Sequence, residues 1–79
     1  MISKKEIGAR LRAAREARGM TPSIAARNLG TTNVQVSRWE TGANAPSIVY
    51  LERVCDMYGI SVADLFGKKA TSGSVLLTP

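Results

Sequence analysis

Asn33, Val34, Ser37, Arg38 and Thr41 fall on one side of a short helical stretch, TTNVQVSRWETG, if Thr32 caps it. These side chains suit recognition better than reaction. An amide donates and accepts at once, a guanidinium offers a planar fork of donors, two hydroxyls do either, and a valine contributes bare methyl groups. Val36, Trp39 and Glu40 share the opposite side, so a carboxylate faces inward with the apolar residues while Val34 stands among the polar ones. Arg15 lies four residues after Leu11 and eight after Ile7, which puts a guanidinium on the apolar face of an earlier helix. Burying either charge alone is costly, so Arg15 and Glu40 are expected to form a structural ion pair.

The residue inventory offers little else in the way of chemistry. The 79 residues include no histidine, a single cysteine and six acids, which are scattered along the chain. Cys55, in VCDMY, has neither a second thiol nor a base nearby and reads as a small apolar core residue. No nucleophile with its base and no set of metal ligands is formed, so the reading is a non-enzyme with no cofactor and no metal. No apolar run approaches the ~20 residues that a bilayer requires, and MISKKEIGAR lacks the apolar core of a signal peptide. A cytoplasmic protein without membrane contact is expected.

The net charge of +5 is unevenly spread. Residues 1–45 carry eight Lys and Arg against three Glu, whereas residues 46–79 carry three cations against three acids. Clustered cations are the footprint of a polyanion partner, and a solubilising basic surface is the alternative.

The elements that position these groups follow from their punctuation. Ser3, Thr21, Thr32, Ser47 and Ser61 are candidate N-caps, with capping boxes at Ser3/Glu6, Thr32/Gln35 and Ser61/Asp64 and a proline, Pro22, at the first helical position after Thr21. Gly19, Gly30, Gly42, Gly59 and Gly67 supply five matching stops, each expected in the left-handed conformation. The result is an all-α, compact five-helix domain over residues 1–67, with helices at roughly 3–18, 21–29, 32–41, 47–58 and 61–66. Spacing places Ile7, Leu11, Ala14, Ala26, Leu29, Val36, Trp39, Ile48, Leu51, Val54, Cys55, Tyr58, Ile60, Leu65 and Phe66 in its core. Residues 68–79 open on a polar, glycine- and serine-containing stretch and read as a tail or linker.

Helices two and three are separated only by GTT, the spacing of a helix-turn-helix. From Glu6 to Phe66, through IGARLRAAREARGM, AARNLGTTNVQVSRWETG, APS and YGISVADLF, the chain resembles the lambda-repressor-like, Xre/Cro-type helix-turn-helix domains. The resemblance implies a DNA-binding fold with the third helix in the major groove, and it implies the same Arg15–Glu40 bridge. In that groove Asn33 suits adenine, Arg38 suits guanine or a phosphate, Val34 suits a thymine methyl, and Gln35 or Ser37 adds base or phosphate contacts. Thr32, Thr21 or Ser23 at helix starts, and Thr41 and Asn44 in TGAN, would hold phosphates. Three departures mark helix two. Pro22 stands where the family commonly has a phosphate-holding glutamine, Ala25 where leucine is usual, and Ile24 where an acid is more frequent.

The expected function is therefore a sequence-specific transcriptional regulator, a repressor, binding double-stranded DNA as a homodimer through Tyr58, Ile60, Val62 and Phe66. The alternative is an antitoxin-type protein whose tail binds a partner protein.

Overall fold

The computed structural model describes residues 2–67, and they form five helices. These are α1 (Lys4–Ala17), α2 (Pro22–Leu29), α3 (Asn33–Thr41), α4 (Ile48–Tyr58) and α5 (Val62–Phe66). Among the described residues there is no strand, and no helix is long and apolar enough to cross a membrane. The expectations for residues 68–79, including a partner-binding tail, lie outside the described residues.

Each helix starts on the hydroxyl expected of it, and Ser3, Thr21, Thr32, Ser47 and Ser61 each accept the amide three residues on. Only Ser61/Asp64 is a reciprocal capping box. At Ser3 the reciprocal partner is diverted, because the Glu6 carboxylate pairs with Arg10 at 3.1 Å. At Thr32 the cap is one-sided. Four of the five stop glycines have positive φ, but Gly67 is extended at φ −81°. Its helix ends differently: Arg10 Nη1 donates to the carbonyls of Leu65 (2.8 Å) and Gly67 (2.7 Å), capping α5 from α1. Arg10 thus joins the folding apparatus and leaves the basic footprint.

Leu11, Ala25, Ala26, Leu29, Val36, Trp39, Leu51, Val54, Cys55, Tyr58 and Leu65 form the core. Of the expected members, Ile7, Ala14 and Ile60 are only partly buried against it, and two are outside it altogether. Phe66 is 46% exposed and Ile48, on the first turn of α4, is 64% exposed. The α4 stripe is buried from Leu51 onward, with α2 and α5 packed against that helix. Tyr58 is buried in the core, which removes it from the candidate dimer surface. Ala25, where the family prefers leucine, is wholly buried.

α3 is fixed chiefly against α1 and α2. Arg15 Nε and Nη2 donate to the two carboxylate oxygens of Glu40 at 2.7 and 3.1 Å, and Nη1 donates to the Met20 carbonyl at 2.6 Å. With side chains only 9% and 8% exposed, this is a buried fork that ties α1, the α1–α2 turn and α3 together. The hydrogen bond from Arg15 to Glu40 is the main reason that the guanidinium pKa is raised. Beside it, Gly8 of α1 lies directly on the backbone of α3. A Cβ there would strike the carbonyl oxygens of Trp39 and Glu40, the latter at 2.5 Å. Trp39 completes the anchor by packing, with its ring 5.4 Å from that of Tyr50 and its buried indole N–H unpartnered among the described residues.

Three outcomes follow for stability. Arg15→Ala and Glu40→Ala should each destabilise the fold by roughly 3–5 kcal/mol, because each strands a buried charge, and the double variant should lose less than the sum. Urea unfolding of the three variants measures the coupling, and additive losses would contradict it. Gly8→Ala should lower stability by more than 1 kcal/mol, although alanine is the better helix former by about that amount, since the added methyl meets backbone. A thermal melt at or above that of the parent would contradict the contact. Burial, with help from Glu40, raises the Tyr58 pKa to about 12. The native state therefore holds this proton more tightly than the unfolded chain, whose tyrosine titrates near 10. The resulting stability is present below about pH 10 and is lost as pH rises through about 12. Ultraviolet titration should show one tyrosine ionising only as the fold is lost.

Candidate nucleic-acid interface

The turn between α2 and α3 is closed by backbone. Gly30, at φ 75°, lets the amide of Thr31 return to the Ala26 carbonyl at 2.9 Å, so α3 begins two residues later without a linker. Val36 and Trp39 are buried at 1% and 3% exposure, and that inward anchoring turns the opposite face of α3 to solvent.

On that face Asn33, Val34, Ser37, Arg38 and Thr41 are all exposed and line one shallow groove. Val34 is 55% exposed, an apolar side chain offered to solvent with polar groups on both sides. Gln35 is half-buried at the edge. The face carries no acid; the one carboxylate of α3, Glu40, is turned inward and neutralised by Arg15.

The positions expected to hold phosphates differ in what they still offer. Thr32 Oγ accepts the Gln35 amide at 3.1 Å and its carbonyl accepts that of Val36, leaving the Asn33 and Val34 amides without partners among the described residues. Two free amides at a helix start form an anion site. The start of α2 is poorer, since Pro22 has no N–H; Thr21 accepts the Ile24 amide at 3.2 Å and keeps its own hydrogen to donate, beside Ser23. Thr41 donates its hydroxyl to the Arg38 carbonyl at 3.3 Å, a bond it must exchange before it can donate to an anion. In the loop after α3, the amide of Asn44 returns to the Arg38 carbonyl at 3.2 Å, and its side chain remains exposed. Ser23 has a partner that sequence spacing did not reveal: it accepts a hydrogen bond from Asn33 Nδ2 at 3.3 Å.

The structure also sorts the cations. Arg10, Arg12 and Arg15 are engaged by Glu6, Glu16 and Glu40, whereas Lys4, Lys5, Arg18, Arg27 and Arg38 enter no ion pair among the described residues. Gly8 and Arg10, which seat α1 against α3 and α5, were not singled out from the sequence. A glycine inside a helix, far from any turn, is the signal that would have found the first.

The family model described as "Helix-turn-helix domain" matches residues 6–65, most of the chain. A search of curated proteins returned no match. Among solved structures, the chain is similar to the clp gene regulator ClgR from C. glutamicum, at 29% identity and TM-score 0.77 over 95% of this chain and 97% of that one. It is similar to the restriction-modification controller protein C.AhdI from Aeromonas hydrophila, at 27% identity and TM-score 0.74 over 80% and 96%. It is also similar to the P22 c2 repressor, solved with a synthetic operator, at 25% identity and TM-score 0.71 over 75% and 89%. With five helices in the expected order, a glycine-closed turn and an acid-free outward face on the second helix of that turn, the chain belongs to the helix-turn-helix family of lambda-repressor-like, Xre/Cro-type DNA-binding transcription regulators.

Proposed function

We propose that this protein is a transcriptional repressor that places α3 in the major groove of an operator and binds it as a homodimer. The exposed stripe of Asn33, Val34, Ser37 and Arg38, on a helix locked from behind by Val36, Trp39 and Glu40, is the observation that carries the reading. Asn33 offers a donor and an acceptor to adenine, Arg38 a fork to guanine or a phosphate, and Val34 its methyls to thymine. The free amides of Asn33 and Val34, the Thr32 hydroxyl and, from α2, Thr21 and Ser23 hold the backbone; Gln35, Ser37, Thr41 and Asn44 complete the contact. Repression follows from occupancy, and the solved operator complex of the P22 c2 repressor supports it by similarity.

One module of this size makes a small specific contact, which favours two copies on a two-fold symmetric site. The surface left for pairing is Ile60 and Val62, half-buried, with Phe66, the exposed aromatic of α5.

Binding to operator DNA should weaken steeply with salt, with log K falling at about 0.9 per phosphate contact against log salt; a flat response contradicts the proposal. Asn33→Ala, which leaves the buried face of α3 intact, should weaken the best operator by about 1–3 kcal/mol, relax preference at one base pair per half-site and leave nonspecific binding nearly unchanged. Arg38→Ala should do the same if it reads a base, or lower the salt slope by about one if it holds a phosphate, and Val34→Ala should act more mildly. Titration of a panel of operator variants measures all three. A folded Asn33→Ala variant with parental affinity and ranking would place the reading face elsewhere.

A further inference from the structure

The hydrogen bond from Asn33 to Ser23 joins the reading face to the helix beside it. Ser23 is suited to this by its neighbours. Pro22 fixes the first turn of α2, and the Thr21 hydroxyl is occupied in capping, so Ser23 is the hydroxyl there with its oxygen open to α3. Both side chains are exposed, and Asn33 lines the groove where a base edge would arrive.

Its consequence lies in what it removes. An asparagine amide has two N–H donors and one carbonyl. One donor of Asn33 is directed to Ser23 at 3.3 Å, leaving one N–H and the carbonyl oxygen for the groove. Adenine presents an acceptor at N7 and a donor at N6, which match that remaining pair; guanine presents two acceptors, N7 and O6. An amide free to rotate could turn both N–H groups toward guanine, whereas the held amide sets its carbonyl oxygen against guanine O6. We propose that Ser23 is a specificity-determining positioning residue, which by holding one N–H of Asn33 confines it to adenine and excludes guanine. The proposal rests on the reading of α3 as the recognition helix. It adds to the phosphate role of Ser23 a second one, since the serine accepts from Asn33 with its oxygen and keeps its own hydrogen to donate.

The test is competition binding to four duplexes that differ only at the base pair whose preference Asn33→Ala abolishes. Ser23→Ala is expected to fold, because Ser23 is exposed and alanine favours a helix. Its adenine-over-guanine ratio should fall about tenfold, the effect of one hydrogen bond, beyond any weakening common to all four duplexes from the lost phosphate contact. Ser23→Thr should restore the ratio, and Ser23→Ala should not alter the relative ranking of the four duplexes further in an Asn33→Ala background. An unchanged ratio in Ser23→Ala overturns the inference. So does equal weakening of all four duplexes, which would leave Ser23 a phosphate ligand only. If Asn33→Ala alters the ranking and Ser23→Ala does not, the inference falls and the recognition helix stands. If Asn33→Ala leaves all four duplexes unchanged, both fall.

Discussion

The buried fork between Arg15 and Glu40 is the interaction on which the rest of the arrangement depends. One guanidinium reaches three parts of the chain: its own helix, the Met20 carbonyl in the turn that follows, and the carboxylate on α3. That geometry fixes the rotation of α3 about its axis, and the rotation decides which five side chains face solvent. Hydrophobic burial of Val36 and Trp39 alone is non-directional and would permit some roll. A two-pronged charged contact is directional and loses much of its strength with small displacements. Gly8 then sets the depth, because no atom beyond its Cα separates α1 from the carbonyls of Trp39 and Glu40.

The same pairing explains how a basic protein can use its charge selectively. Three arginines of α1 are engaged by acids, and two of those also serve the fold: Arg15 locks α3, and Arg10 closes α5 through the carbonyls of Leu65 and Gly67. The outward face of α3 has one cation, Arg38, and no acid. Under the proposed function, contact with DNA there would be shaped by hydrogen-bonding groups and helix-start amides as much as by net charge, which would favour discrimination between sequences over general adhesion.

Much of this was legible in the sequence because local rules dominate short helices. Hydroxyl caps and glycine stops located five helices to within a residue or so, and the placement of Glu40 among apolar neighbours anticipated the contact with Arg15. What escaped were effects that exist only after the chain has folded. Glu6 could have completed a capping box but meets Arg10, and Gly67 could have turned left-handed but is capped from another helix. Ile48 has the right spacing for the core, yet its turn is left uncovered. Tyr58 was legible both as core and as surface, and packing chose core. The Ser23–Asn33 bond spans the helix-turn-helix itself, so no periodicity within either helix could announce it.

If two copies of this domain present α3 to successive major grooves, the DNA it selects must carry the symmetry of the pair. Selection of bound duplexes from a random pool measures that directly. The account predicts enrichment of a two-fold symmetric sequence whose half-site centres lie about one helical turn, roughly 10–10.5 base pairs, or a multiple of it, apart. A pool that remains random after repeated rounds, or an enriched site without symmetry, would contradict it.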